Sequence, residues 1–156
     1  MGVCAKDIMT ADVVCGLDTL TVQDLVHLLR KHQITGVPVL DSEGALVGVV
    51  STTDIILHDE DFGEGPVLSS DYHRQLEVRD NTFWDEFALH DVEHLLVKDI
   101  MSTEVWSAGL ETPVEELVQI MYDHRIHRIL ITDNHRIVGI ISTMDIFKAV
   151  MDQTLS

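Results

Sequence analysis

The stretch VGVVSTTDI at residues 47–55 recurs as VGIISTMDI at residues 138–146, 91 positions later. Upstream of it, KDIM at residues 6–9 recurs at residues 98–101, 92 positions later. Further matches between these anchors keep the same order, and the offset changes by one residue inside a turn that follows Asp41. Ordered matching over about fifty residues indicates a duplicated structural unit rather than chance.

Each copy has the pattern of a small α/β unit. Apolar side chains recur at helical spacing in the first half of each copy, and two β-branched, apolar runs joined by a turn follow. One such unit leaves an apolar sheet face uncovered, so we expect the two copies to pack together into one body. The first copy is predicted to have a helix at 21–33 capped by Thr21, strands at 37–40 and 46–50, and a helix from Ser51. The second is predicted to have a helix from Pro113, strands at 129–131 and 137–141, and a helix from Ser142.

The repeat predicts three regions along the chain. Residues 1–58 form the first copy, residues 97–156 form the second, and residues 59–96 interrupt the repeat. The interruption begins with an acidic, glycine-rich run that is typical of a loop, and it ends in a predicted helix over 82–96. Three aromatic residues within 83–87 either pack on the repeats or form an interface.

Composition excludes several classes of protein. The chain has 156 residues, 46% of them hydrophobic, which predicts a folded rather than a disordered chain. The net charge of −17 argues against nucleic-acid and membrane-surface binding, since both require a basic surface. No apolar run is long enough to span a bilayer, and the two cysteines suit free thiols in a reducing compartment, so we predict a cytoplasmic protein.

The D-I-M-[S/T] opening, the helix that leads to I-x-x-h-P-h, and the closing G-h-h-[S/T]-x-x-D resemble the CBS (cystathionine-β-synthase) domain. The tandem pair resembles the Bateman module and covers everything except the interruption. The resemblance implies an α/β fold with two β-α-β-β-α repeats related by a pseudo-twofold axis. It also implies a homodimer and a regulatory rather than catalytic role. The ligand that it implies is an adenine nucleotide (AMP, ADP or ATP), or an adenosyl compound such as S-adenosylmethionine, held in clefts between the copies.

Candidate ligand-binding residues come from both copies. Gly48 and Gly139 allow a close backbone approach, and Ser51 and Ser142 precede helix N-termini, which favour anions. An aspartate three residues after each serine can accept hydrogen bonds from a ribose diol, a role that the resemblance implies, although Ser-x-x-Asp is also an ordinary helix cap. The apolar surroundings of adenine are assigned to Thr10, Val14 and Val37 in one site and to Ser102, Trp106 and Ile129 in the other. Gly48, Ser51, Asp54, Gly139, Ser142, Thr143 and Asp145 complete the set, and residues near the twofold axis could serve either cleft.

A basic segment at residues 124–136 suggests where phosphate binds. It contains three of the ten Lys and Arg residues together with three histidines, which suits a small anion or, alternatively, a solvated surface. Within it, the sequence around His127 and Arg128 resembles the I-H-R-h stretch of the γ-subunits of AMP-activated kinases, which implies phosphate contacts. The first copy has Thr35 and Gly36 there, so we expect asymmetric sites.

The alternatives differ in class. An interaction scaffold without a ligand would use the repeat only for folding and dimerisation, and a nucleotide hydrolase would need a catalytic motif that the sequence lacks. Trp106 could stack on a base or fill the core. His90 and His94 have helical metal-ligand spacing but are too few for zinc, and Mg²⁺ could accompany a polyphosphate. The regulated partner protein is not indicated by the sequence.

Overall fold

A computed structural model describes residues 2–57, 72–73 and 95–152. Both copies have the predicted order of elements, each preceded by one short helix that contains the Asp and Ile of the D-I-M motif and is followed by its methionine in extended conformation. The first copy contains α1 (Ala5–Ile8), β1 (Gly16–Leu17), α2 (Val22–His32), β2 (Gly36–Leu40), β3 (Leu46–Ser51) and α3 (Thr52–Leu57). The second contains α4 (Val97–Ile100), β4 (Ser107–Gly109), α5 (Val114–His124), β5 (Arg128–Asp133), β6 (Arg136–Ser142) and α6 (Thr143–Met151).

Each copy forms a three-stranded sheet with the same topology. The strand orders are β1-β2-β3 and β4-β5-β6, in which the first pair is parallel and the second is an antiparallel hairpin. The parallel pair needs a crossover, which α2 and α5 supply. The predicted mixed α/β class and the β-α-β-β-α repeat are therefore confirmed.

The ends of the long helices follow from local chemistry. The Thr21 hydroxyl oxygen accepts a hydrogen bond from the Asp24 N–H at 3.1 Å and caps α2, as predicted. Gln33 and Arg125 end α2 and α5 in the left-handed conformation, with φ of 53° and 56°. Pro113 is the N-cap of α5 (ψ 144°) rather than its first helical residue, because the helix starts one position later than expected.

The described residues divide into two compact units that do not follow the linear order of the copies. One unit combines Met1–Val13 with Val105–Ser156, and the other is Val14–Glu104. The D-I-M segment of the first copy thus packs with the sheet of the second copy, and the D-I-M segment of the second copy packs with the sheet of the first. The copies exchange their opening segments.

Equivalent hydrogen bonds hold the two exchanged segments. The Lys6 N–H donates to the Leu110 carbonyl at 3.0 Å, and the matching Lys98 N–H donates to the Asp18 carbonyl at 3.0 Å. Further along each segment, Thr10 pairs with Ile140 and Ser102 pairs with Val49 through reciprocal backbone hydrogen bonds of 2.8–2.9 Å. The repetition of these bonds at the repeat offset shows that the exchange is a property of both units.

Each unit has its own apolar core that includes side chains of the exchanged segment. The core of the copy-one sheet contains Leu25, Leu29 and Ile55 together with Val97 and Ile100. In the copy-two sheet, Leu117, Ile129 and Ile141 pack with Ala5, and Ile8 and Met9 lie against them. Burial of apolar surface therefore ties each opening segment to its unit.

The predicted helix over 82–96 lies almost entirely outside the described residues, as do its aromatic residues, His90 and His94. Its last residue, Leu96, is extended (φ −98°, ψ 155°) and bridges to Thr21, so the helix does not reach that position. Within 2–57, 72–73 and 95–152, none of the helices combines the length and apolar character needed to cross a bilayer.

Candidate functional site

The predicted ribose-binding aspartates both lie in the first turn of a helix that follows the last strand of a sheet. In the copy-two unit, Asp145 Oδ2 accepts hydrogen bonds from the Ser142 N–H at 2.8 Å and from its hydroxyl at 3.2 Å. The Asp145 N–H donates to the Ser142 hydroxyl oxygen at 3.4 Å, which completes a reciprocal capping box. Ser142 and Asp145 therefore do form a helix cap, and the hydrogen bonds of this cap fix the orientation of the carboxylate.

The second carboxylate oxygen of Asp145 faces a residue of the exchanged segment. Thr10 Oγ1 donates to Asp145 Oδ1 at 3.4 Å, a long hydrogen bond, and Thr10 is exposed while Asp145 is half-buried. A carboxylate oxygen has two acceptor positions, so Oδ1 retains capacity for a ligand donor. This corner, which consists of Thr10, Ser142 and Asp145, is called the carboxylate corner below.

The structure places two predicted residues beside the sheet of the other copy. Thr10, which was predicted together with Val14 and Val37, contacts Asp145 in the copy-two unit. Ser102, which was predicted together with Trp106 and Ile129, pairs through its backbone with Val49 of the copy-one sheet. The cause is the exchange of opening segments, which moves each of these residues to the other copy.

The close approach predicted at two strand glycines is made by the protein itself. A Cβ on Gly139 would overlap the sulfur of Met9 and lie 2.9 Å from its Cγ, and one on Gly48 would lie 2.9 Å from the Met101 sulfur and 2.7 Å from the Ser102 carbonyl oxygen. These glycines therefore admit the exchanged segments rather than a ligand. The sequence shows both partners of these contacts, because each copy has one strand glycine and one D-I-M methionine at equivalent positions.

The predicted apolar surroundings of adenine are largely core. Val37 and Ile129 are 0% exposed and belong to the two apolar cores, and Val14 packs against the first of them. Trp106 packs against the second core and lies against the His124 ring, with 3.9 Å between centroids and 31° between planes. One face of the indole is thus occupied by His124, which favours the core-filling alternative for Trp106.

The basic segment does not gather into one pocket. Arg128 opens β5, whereas Arg136 opens β6 beyond the hairpin turn, where Asn134 and His135 have φ of 52° and 67°. The five steps from Arg128 to the end of β5 span roughly 16 Å at about 3.3 Å per residue, so the two arginines lie at opposite ends of the strand. The basic residues of this segment are therefore divided between the two ends of the β5–β6 hairpin, and His127 and Arg128 lie at the start of β5.

At the start of β5, the backbone joins the strand to the carboxylate corner. Arg128 is the partner of Ser142 in the β5–β6 register, and the Thr143 N–H donates to the His127 carbonyl at 2.9 Å. Arg128 is 7% exposed and engaged within the protein, while His127 is half-buried. The corner thus places a fixed carboxylate beside a positively charged strand position.

The charges at the N-terminus of α6 and at the start of β5 favour different groups of a ligand. Two N–H groups of the first turn of α6 are already used, by the His127 carbonyl and the Ser142 hydroxyl, and the Asp145 carboxylate supplies negative charge there. A phosphate at this helix end would be repelled by Asp145, which disfavours the expected anion at the carboxylate corner. A neutral diol fits it better.

The copy-one counterpart is more enclosed. Asp54 Oδ2 accepts from the Ser51 N–H at 2.8 Å and from its hydroxyl at 3.3 Å, as in the copy-two unit. Ser51 is 0% and Asp54 5% exposed, whereas Ser142 and Asp145 are both half-buried. Within the described part of the chain, no group of three or more His, Cys, Asp or Glu side chains could hold a metal ion.

The family follows from a match of the CBS-domain model to residues 5–61 and again to residues 97–152. The chain belongs to the CBS-domain family. Over 155 residues it is 29% identical to the uncharacterized protein MJ1426 of Methanocaldococcus jannaschii, covering 94% of this chain and 90% of that protein.

Solved CBS structures share this fold. CBSX2, in complex with AMP, matches with a TM-score of 0.70 at 20% identity, covering 97% of this chain and 98% of that one. The CBS-domain pair of protein MJ0100, in complex with 5′-methylthioadenosine and S-adenosyl-L-methionine, matches with a TM-score of 0.65 at 19% identity, covering 98% and 99%. The recognition of a tandem CBS pair from the repeat is therefore confirmed.

Proposed function

We propose that this chain is a regulatory module that binds an adenine nucleotide and acts by binding rather than catalysis. The carboxylate corner carries the proposal, because it presents a half-buried carboxylate that a capping box holds in one orientation. In this proposal the Asp145 carboxylate accepts hydrogen bonds from the ribose hydroxyls, and Thr10 lies beside it. The ligands of CBSX2 and of the MJ0100 pair support this assignment, since AMP, 5′-methylthioadenosine and S-adenosylmethionine all contain an adenosine.

The nucleotide phosphate is assigned to the start of β5. His127 is half-buried and Arg128 adds a positive charge beside Ser142, whereas the helix end itself is already negative. Attraction between the phosphate and this charge distinguishes AMP, ADP and ATP from a neutral adenosine, and it weakens as salt screens it. S-adenosylmethionine, the alternative ligand, carries no phosphate, so the phosphate attraction of Arg128 would add nothing to its affinity. Mg²⁺ would enter only with a polyphosphate ligand.

Isothermal titration calorimetry with AMP, ADP, ATP and S-adenosylmethionine tests the assignment. Asp145→Asn should weaken binding by about 1.5–3 kcal/mol, roughly 10- to 150-fold, the usual scale for hydrogen bonds to a charged group. Asp133→Asn is the matched control, because Asp133 is exposed at the hairpin end of β5. Equal affinity in the two variants would contradict the role of Asp145. No heat with any ligand, together with no thermal shift, would favour the scaffold alternative.

A homodimer completes the proposal, and one observation supports an interaction surface that a second copy could use. Helix α6 exposes apolar side chains along one stretch: Met144 is 64%, Phe147 58% and Met151 80% exposed. Large exposed apolar groups that cluster on one helix mark interaction surfaces. Ligand binding would then shift the population of dimer conformations that a regulated partner protein distinguishes. Cys4 and Cys15 are not joined in a disulfide, which supports a reducing compartment such as the cytoplasm.

A further inference from the structure

The two sheets differ at one strand position beside the aspartate-bearing helices. Gly36 is the register partner of Ser51 in the copy-one hairpin, and Arg128 is the register partner of Ser142 in the copy-two hairpin. Gly36 is therefore the structural counterpart of Arg128. The copy-one unit has no side chain at the position where the copy-two unit carries a guanidinium.

An aromatic side chain from the interruption fills that space. A Cβ on Gly36 would lie 2.6 Å from Cδ2 of Tyr72 and 3.3 Å from the Cα of Ser51. Tyr72 is 1% exposed and the adjacent His73 is 4% exposed, with their rings edge to face at 5.1 Å. A ring can lie this close to the strand only because residue 36 is glycine, so the strand and the inserted residue fit one another.

This contact coincides with the difference in exposure between the two aspartates. Asp54 and Ser51 are buried, and Ser51 is the register partner of the glycine that Tyr72 approaches, whereas Asp145 and Ser142 are half-buried. A ribose diol cannot reach a carboxylate that is 5% exposed without displacement of what covers it. The copy-one unit also lacks the positive charge that Arg128 supplies at this position of the copy-two unit, so a nucleotide admitted there would be held more weakly.

We propose that Tyr72, with His73, is a built-in occupant of the copy-one site, so that each chain binds one nucleotide, at the carboxylate corner of the copy-two unit. This inference rests on the proposed function for the identity of the ligand. The interruption at 59–96 then decides how many ligands a chain binds. A second site becomes available only when Tyr72 leaves Gly36.

Calorimetric titration of the full chain with AMP and with ATP tests the stoichiometry. The wild-type protein should bind one nucleotide per chain. Asp145→Asn should reduce the affinity at least tenfold, and Asp54→Asn should leave the stoichiometry and affinity within twofold. Tyr72→Ala should bind a second nucleotide, and adding Asp54→Asn to it should remove that second site. Tyr122→Ala is the control, because Tyr122 is the other tyrosine of the chain and is 64% exposed.

Two wild-type sites per chain, or a loss of half the sites in Asp54→Asn, would overturn the inference while leaving the proposed function intact. A folded Tyr72→Ala protein that still binds one nucleotide would overturn it as well. A third result separates the two proposals: the wild-type chain binds nothing and Tyr72→Ala binds one nucleotide through Asp54. The proposed function of the carboxylate corner then fails, whereas the proposal that Tyr72 occupies the copy-one site is supported. If Tyr72→Ala does not fold, the wild-type and Asp54→Asn stoichiometries decide.

Discussion

Substitution of Gly139 by alanine tests the exchange of opening segments directly. The three atoms nearest to the new methyl group all belong to the side chain of Met9: the sulfur, which it would overlap, Cγ at 2.9 Å and Cβ at 3.1 Å. Two backbone hydrogen bonds between Thr10 and Ile140 hold the adjacent backbone in place, so relief of the clash requires the sulfur and Cγ of Met9 to move out of their packed position. Overpacking of this kind costs about 1–3 kcal/mol.

A second substitution should remove most of that cost. Met9→Ala alone should destabilise by about 1–2 kcal/mol, below the range for fully buried methionines because Met9 is half-buried. The double variant Met9→Ala/Gly139→Ala should be close to Met9→Ala alone in stability, since the clashing sulfur and Cγ are gone. The expected coupling energy between the two positions is thus about 1–3 kcal/mol.

The equivalent pair in the other unit provides a matched comparison with a different outcome. A methyl group on Gly48 would meet the Ser102 carbonyl oxygen at 2.7 Å as well as the Met101 sulfur at 2.9 Å. Because a backbone carbonyl remains after Met101→Ala, the rescue of Gly48→Ala should be small. Urea unfolding monitored by circular dichroism measures all six variants. Additive losses for Met9 and Gly139 would refute the packing of the opening segment on the copy-two sheet.

Three further outcomes follow from contacts described above. Thr21→Ala should destabilise the protein by about 0.5–2 kcal/mol in thermal unfolding, since it removes the hydroxyl that accepts from the Asp24 N–H; a loss below 0.3 kcal/mol would contradict the cap. Desolvation raises the pKa of both the Cys4 and Cys15 thiols above the ordinary 9.0; thiolate therefore forms only at higher pH, and iodoacetamide alkylation followed by mass spectrometry should stay slow at pH 7 and accelerate above about pH 9. Phe147→Glu should shift the protein toward monomer in sedimentation velocity, because it places a charge on the exposed apolar part of α6; an unchanged sedimentation coefficient would count against that surface.

The local structure was predictable because each signal depends on neighbouring residues. The cap at Thr21, the hairpins and the helix starts at Ser51 and Ser142 follow from side-chain chemistry within a few positions. Family recognition had the same basis, since the repeated motifs are short and ordered.

The exchange of opening segments was not predictable from the repeat. Alignment matches residues 6–9 with 98–101, but the sheets that receive them are chemically alike, each with a glycine in its last strand. Nothing local distinguishes packing on the near sheet from packing on the far one. The three-dimensional path of the chain decides, so the sequence does not show which sheet Thr10 and Ser102 lie beside.

The occupant of the copy-one site was missed for a different reason. Tyr72 belongs to the part of the chain that has no counterpart in the repeat, so alignment gives it no partner. The difference between Gly36 and Arg128 was visible, and it predicted asymmetry. The space that a missing side chain leaves on a strand does not indicate which distant residue fills it.

The discontinuous unit also constrains the order in which the protein can fold during synthesis. Residues 2–13 leave the ribosome long before β5 and β6, on which they pack. Their apolar side chains therefore stay exposed to solvent until the second copy has been made. The copy-one sheet likewise lacks Val97 and Ile100 until most of the chain has been made. Such contacts between distant parts of the sequence slow folding and expose apolar surface to chaperones. A fragment that ends at residue 104 and is released from the ribosome should therefore protect the copy-one hairpin from protease, because it contains Val97 and Ile100, while residues 2–13 stay cleavable.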